Sequence, residues 1–148
     1  MDKLIKAIME SVSEGVVCAD VNGTFVYWNE AATNLLGVGP VNAIDNWSEI
    51  YGLYKEDGSP IPSEDLPLVR ALKGEVVPDT RLLVKNKHHP LGISIIVTAK
   101  PITLSSNIVI GMAVFHEVES KQQKQVKEEL DKLLLKLSQL ETAVSKIN

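Results

Sequence analysis

The sequence contains almost no cysteine, few aromatic residues and no long apolar run. Cys18 is the single cysteine of 148 residues, so no disulfide can form within the chain and a reducing compartment is expected. The apolar runs, such as the one at residues 111–115, are too short to span a bilayer. The first fourteen residues include five charged ones and lack the apolar core of a signal peptide. We therefore predict a cytoplasmic protein without a membrane segment.

Motifs that would indicate chemistry are also missing. The sequence contains no phosphate-binding glycine loop, no serine-nucleophile motif and no His-Glu-x-x-His zinc motif. The net charge of −4 gives no basic footprint for nucleic acid. We therefore expect neither catalysis nor nucleic-acid binding. A small enzyme on a curved sheet remains the least favoured alternative, and it would require a buried acid–base pair in an open cleft.

The last quarter of the chain carries an apolar residue at alternating spacings of four and three. This is the heptad pattern of a coiled coil, and it predicts a helix that pairs with another helix. Lys136 and Glu141 then occupy g and e positions, which favours a parallel homodimer. The predicted seam consists of Val126, Leu130, Leu133, Leu137, Leu140, Val144 and Ile147.

Other packings of this helix remain open. Leucine rather than isoleucine at the a positions weakens the preference for two strands. Leu134 at e widens the apolar stripe, while Leu135 at f lies outside it. A higher oligomer, antiparallel helices, or one helix packed on its own domain are the alternatives.

The rest of the chain alternates between short helical and strand patterns. Residues 2–12 form an amphipathic pattern, Asn22-Gly23 is a strong hairpin signal, and Asn29 can cap a helix that Gly37 closes. Ser63 or Asp65 can cap a later helix. Two strands, a block of short helices and three more strands predict an α+β domain with an antiparallel sheet. The later β-rich segments are 79–84, 92–100 and 108–118.

This order of elements, with its junction sequences, resembles a PAS domain of the bacterial sensor-kinase type. The resemblance implies a five-stranded antiparallel sheet with a helical cover, and a role in sensing or dimerisation. It predicts three parts: an N-terminal helix at 1–13, a PAS-like domain at 14–118 and a coiled-coil output helix at 119–148. The matching segments are GVVCAD at 15–20, NG at 22–23, VYWNEAA at 26–32, LLG at 35–37, DGSP at 57–60, LPLVRALKGE at 66–75, AKP at 99–101 and GMAVF at 111–115.

One junction departs from the family pattern. PAS domains often end in Asp-Ile-Thr, where the sheet meets the output helix. The matching residues here are Glu117, Val118 and Glu119, so the acid is longer and the capping hydroxyl is replaced. The resemblance makes these three residues the predicted signal junction.

The resemblance predicts no cofactor, although a small-molecule ligand is compatible with it. The helix at residues 66–73 lacks the histidine of haem-binding relatives, and Cys18 lies outside the motif of flavin-binding ones. Trp28, Leu36 and Phe115 can line a small pocket beneath the sheet, but packing in the core accounts for each of them more simply. His88 and His89 have no companion ligands in the sequence, so we predict no metal site.

Together with the heptad pattern, the resemblance implies a regulatory module of a two-component system. It would form a homodimer through its N-terminal helix and its coiled coil, and pass a conformational signal to an effector such as a histidine kinase. The alternative is a ligand-free dimerisation or protein-interaction module.

Overall fold

The computed structural model describes residues 3–104, 107–119 and 121–147. The chain divides into two compact units, one ending at Val118 and one beginning at Glu119. Within these residues, the first unit contains four α-helices and six strands, and the second unit is one long helix. The helices are α1 (Lys3–Ser11), α2 (Glu30–Leu36), α3 (Trp47–Tyr51), α4 (Pro67–Leu72) and α5 (Lys121–Ile147).

All six strands belong to one antiparallel sheet, with the order β2-β1-β6-β5-β4-β3. The first strand, β1, pairs with the last strand, β6, and neither of them lies at an edge of the sheet. The predicted α+β class with an antiparallel sheet is therefore confirmed. The strands are β1 (Gly15–Asp20), β2 (Phe25–Trp28), β3 (Leu53–Lys55), β4 (Val77–Val84), β5 (Ile93–Leu104) and β6 (Ile108–Val118).

The turn between β1 and β2 follows directly from its sequence. Gly23 has a φ of 79°, which glycine adopts at little cost. The Asp20 carboxylate accepts hydrogen bonds from the amides of Asn22 (2.9 Å) and Thr24 (3.0 Å). These bonds satisfy the backbone of the turn, and the predicted hairpin is confirmed.

Two predictions about the middle of the chain are wrong. The sheet has a sixth strand, because Leu53–Lys55 pairs with β4 at the sheet edge; three residues are too few to show an alternating pattern. Neither Ser63 nor Asp65 caps α4, since both lie in a 3₁₀ helix and Leu66 precedes α4 without a side-chain cap. Instead, the Ser63 hydroxyl accepts a hydrogen bond from the amide of Ser48 (3.0 Å).

The two faces of the sheet differ in how far the first unit covers them. The helices cover the face that carries Val17, Ala99 and Ala113, which are almost completely buried. The opposite face carries Met112 and Val114, and these side chains are only half-buried. One face therefore forms the core, while the other keeps partly exposed apolar side chains.

The second unit leaves its apolar seam exposed to solvent. The side chains of the six described seam residues are 53–68% exposed, and the side chain of Ile147 lies outside the described part of the chain. Among the described residues, no helix is both long and apolar enough to cross a membrane. An apolar stripe along a helix of 27 residues therefore has no cover within its own unit.

Candidate functional site: an aromatic cavity beneath the sheet

A cavity of about 70 Å³ lies between the sheet and the helices of the first unit. Its walls come from the sheet and from α2, α3 and α4, so a molecule bound in the cavity would contact both the sheet and these helices. The lining is apolar apart from three ring heteroatoms. It consists of Val17, Phe25, Trp28, Leu36, Trp47, Tyr51, Leu53, Leu66, Pro67, Leu68, Leu82, Ile95, Val97, Ala113 and Phe115.

The few aromatic residues of the chain are concentrated at this cavity. The sequence has two tryptophans, three tyrosines and two phenylalanines, and five of these seven rings line it. Four of them form a continuous row: Trp47 stacks on Phe25 (4.9 Å between centroids), Phe25 meets Trp28 edge-on (4.8 Å), and Trp28 stacks on Tyr51 (5.9 Å). Such ring contacts stabilise the arrangement by more than the burial of apolar surface alone.

The polar atoms of these rings are satisfied by neighbouring groups. Trp28 Nε1 donates to the Thr33 hydroxyl (2.7 Å), and Trp47 Nε1 donates to the Val41 carbonyl (2.8 Å). The Tyr51 hydroxyl donates to the Gly39 carbonyl and accepts from the Val41 amide, both at 2.9 Å. Burial raises the pKa of Tyr51, and the Val41 hydrogen bond partly opposes this rise. The cavity is therefore suited to uncharged apolar groups.

The three predicted pocket residues meet at this cavity. Trp28 is at the end of β2, Leu36 at the end of α2 and Phe115 on β6, and all three line it. Sequence reasoning missed Phe25, Trp47 and Tyr51, although their scarcity as aromatic residues was a usable signal. Trp47 and Tyr51 were not predicted as cavity residues, because their segment has no clear helical or strand periodicity of apolar residues.

Two asparagines attach the helical wall of the cavity to the rest of the unit. The Asn29 Oδ1 accepts from the amides of Val16 and Ala32 (both 3.0 Å), and its Nδ2 donates to the Glu14 carbonyl (2.9 Å). Asn29 thus caps α2 and also holds the start of β1.

Asn86 makes a corresponding set of bonds at the other end of α2. Its Nδ2 donates to the carbonyls of Leu36 (2.9 Å) and Tyr51 (2.8 Å). Its Oδ1 accepts from the amides of His88 (2.9 Å) and His89 (3.1 Å). One side chain therefore joins the ends of α2 and α3 to the loop between β4 and β5.

The histidine, cysteine and carboxylate side chains were candidates for a metal site. Within the described ranges, His, Cys, Asp and Glu side chains form no group of three or more that could hold a metal ion. His88 is exposed, and the Nε2 of His89 is buried without a hydrogen-bond partner among the described residues. Burial raises the pKa of the Cys18 thiol, which keeps it in the protonated, less nucleophilic form.

The predicted junction residues lie at the end of the sheet. Glu117 pairs with Ile95, and Val118 pairs with Ser94 near the start of β5. Glu119 begins the second unit, where its carboxylate is 3.3 Å from the Lys127 Nζ. The neighbouring Ser120 lies outside the described residues.

The sequence matches the family model for the PAS domain over residues 3–79, which is 77 of its 148 residues. The chain therefore belongs to the PAS domain family. Among curated proteins, none matches this sequence.

Solved structures with a similar backbone include several PAS domains. The PAS domain of an HTR-like protein from Haloarcula marismortui is 16% identical, with a TM-score of 0.52 over 78% of this chain and 89% of that one. A PAS domain from a two-component sensor histidine kinase is 11% identical, with a TM-score of 0.49 over 78% and 95%. The PAS domain of nitrogen regulation protein NR(II) from Vibrio parahaemolyticus is 16% identical, with a TM-score of 0.46 over 79% and 100%. The likeness to the Haloarcula domain concerns the fold.

Proposed function

We propose that this chain is a cytoplasmic regulatory PAS module that forms a homodimer and transmits a conformational signal through its C-terminal helix. Its effector would be a signalling domain such as a histidine kinase, as in two-component systems. The module itself would catalyse no reaction and bind neither nucleic acid nor membrane.

The observation that carries this proposal is the exposed seam on α5. Leu133 is 60% exposed and Leu140 is 62% exposed within a helix that offers them no cover of its own. Complete burial of one such side chain contributes about 1.5–3 kcal/mol. A second copy of the same helix would present the same stripe, and Lys136 would face Glu141 of that copy in a parallel pair.

The N-terminal helix supports the same assembly. Leu4, Ile5 and Ile8 on α1 are 67%, 52% and 54% exposed. The sheet face that carries Met112 and Val114 is also partly exposed to solvent. We propose that these two surfaces meet in the dimer, which would bury both.

The cavity supports a sensory role for the first unit. It contacts both layers of the fold, and its aromatic walls have no charged side chain. We propose that it takes a small, uncharged, apolar molecule. The alternative is that the cavity stays empty and the module only holds subunits together; a small molecule retained through purification, detected by native mass spectrometry, would separate the two.

Sedimentation equilibrium tests the proposed assembly directly. The wild-type chain should be a dimer at micromolar concentration. Leu133→Asp or Leu137→Asp should yield monomers, because a buried unpaired carboxylate costs several kcal/mol. Leu135→Asp is the matched control: it is the same substitution on the same helix at a position outside the seam, with a similar exposure of 61%.

The control variant separates the seam from general effects on the helix. We expect Leu135→Asp to remain dimeric at concentrations where Leu133→Asp is monomeric. A monomeric wild type, or equal dissociation of the two variants, would contradict the proposed interface.

A further inference from the structure

We propose that Asn86 is a positioning residue that couples the cavity to the loop between β4 and β5. The inference rests on the proposed sensory role of the cavity. It concerns how a change in the helical wall reaches the end of the sheet from which the chain leaves the domain.

The two carbonyls that Asn86 holds belong to residues of the cavity wall. The side chains of Leu36 and Tyr51 line the cavity, and their carbonyl oxygens both accept from Asn86 Nδ2. These two residues end α2 and α3, respectively. A displacement of either helix end by a bound molecule therefore changes the position of the same amide group.

The other end of the Asn86 amide sets the shape of the loop. Its Oδ1 accepts from the amides of His88 and His89, and the His89 carbonyl accepts from the Gly92 amide (2.9 Å). Two residues after Gly92, Ser94 pairs with Val118, the last residue of β6. The loop is thus joined to the strand that carries the predicted junction.

One backbone contact runs beside this connection and provides an internal reference. The Lys85 amide donates to the Gly52 carbonyl (2.8 Å), directly after Tyr51. This bond does not involve the Asn86 side chain. The His89 amide also donates to the Asn86 carbonyl (3.1 Å), so His89 keeps a backbone connection as well. Loss of the side-chain amide should therefore weaken the connection of His88 to the cavity while leaving Lys85 and His89 connected.

The substitution that separates the two halves of this contact is Asn86→Asp. The aspartate retains an oxygen that can accept from the loop amides, but it loses the Nδ2 donor and places negative charge beside two carbonyls. Asn42→Asp is the matched control, since it adds the same charge and retains the acceptor for the Phe25 amide (3.1 Å). If Asn86→Asp does not fold, Asn86→Ala replaces it, because alanine removes the Nδ2 donor without adding a charge.

Xenon is a suitable probe because it is small, uncharged and apolar. The cavity of about 70 Å³ has about half the volume of an engineered apolar cavity of about 150 Å³ that binds xenon or benzene. Amide chemical shifts are recorded with and without xenon pressure for the wild type and both variants. In the wild type and in Asn42→Asp, the amides of Lys85, His88 and His89 should shift. In Asn86→Asp, Lys85 and His89 should keep their shifts through their backbone hydrogen bonds, while the shift of His88 should fall clearly below its wild-type value.

Three outcomes would overturn the inference. A His88 amide that responds to xenon in Asn86→Asp as strongly as in the wild type would show that the side chain is not needed. An equal loss of the xenon-induced shifts in Asn42→Asp would show that the added charge destabilises the unit in general and that the Asn86 contact is not specific. If xenon shifts no cavity-lining amide in the wild type, the sensory role of the cavity fails and the coupling fails with it, whereas the proposed dimer stands or falls on sedimentation alone.

Discussion

Asn29 and Asn86 hold opposite ends of the same helix, Glu30–Leu36. Asn29 caps its first turn through the Ala32 amide, and Asn86 binds the carbonyl of its last residue, Leu36. Each asparagine also binds backbone outside the helix, at the start of β1 and in the loop before β5. A helix of only seven residues is therefore held at both ends by side-chain amides, in addition to the backbone hydrogen bond from the Gly37 amide to the Thr33 carbonyl.

Removal of the Asn29 amide should strongly destabilise the first unit. Asn29→Ala leaves the buried Val16 amide without a partner and removes the cap of α2, so we expect a loss of about 2–4 kcal/mol in the free energy of unfolding. Urea denaturation measures it. Asn34→Ala on the exposed side of α2 is the control and should change stability by less than about 0.5 kcal/mol. Equal effects of the two changes would argue against a structural role for Asn29.

Two glycines with positive φ should respond differently to alanine. A Cβ on Gly58 (φ 86°) meets no atom within 4 Å, so Gly58→Ala should cost only the backbone strain, about 1–2 kcal/mol. A Cβ on Gly52 (φ 66°) would collide with the Lys85 carbonyl oxygen and disturb the bond beside the Asn86 contact. Gly52→Ala should therefore lower the unfolding free energy clearly more than Gly58→Ala. Similar values for both would contradict the close approach of the Gly52 backbone to the Lys85 carbonyl.

The N-terminal helix should contribute to the assembly. Deletion of residues 1–12 removes the exposed apolar face of α1, so we expect a lower melting temperature or aggregation together with weaker association. Lys6→Ala, an exposed change on the same helix, should alter neither quantity. An unchanged melting temperature and subunit number after the deletion would count against an interfacial helix.

The purified protein should be colourless. The cavity of about 70 Å³ is well below the 300–1,000 Å³ of typical ligand pockets, so a haem or a flavin does not fit without rearrangement of the core. An absorption spectrum should show neither a Soret band nor a flavin band. Either band would refute the expectation of a small uncharged ligand.

Turn and capping residues predicted those elements of the fold that depend on a few neighbouring residues. The β1–β2 hairpin followed from Asn22-Gly23, and α2 followed from the cap at Asn29 and the closing Gly37. The sixth strand was missed because Leu53–Lys55 is defined only by its pairing with β4.

The site depended on contacts between distant segments. The two carbonyls that Asn86 binds lie 50 and 35 residues earlier in the chain, and no local pattern marks such a contact. Trp28, Leu36 and Phe115 could be proposed from strand and helix faces, whereas Trp47 and Tyr51 lie in a segment of loops and short helices. The sequence therefore predicted residues of the cavity from the strands and from α2, whereas the residues that α3 contributes were found only in the structure.

The central claim is that the phase of the C-terminal helix carries the signal. The most direct measurement is the activity of a histidine-kinase core fused after Asn148, with residues inserted between Glu119 and Gln125. One inserted residue rotates the downstream seam by about 100°, whereas seven leave it only about 20° from its original phase. We predict that one or two residues switch the kinase activity strongly and that seven restore it. Activity that falls smoothly with insertion length, without recovery at seven, would show that the helix is a passive tether.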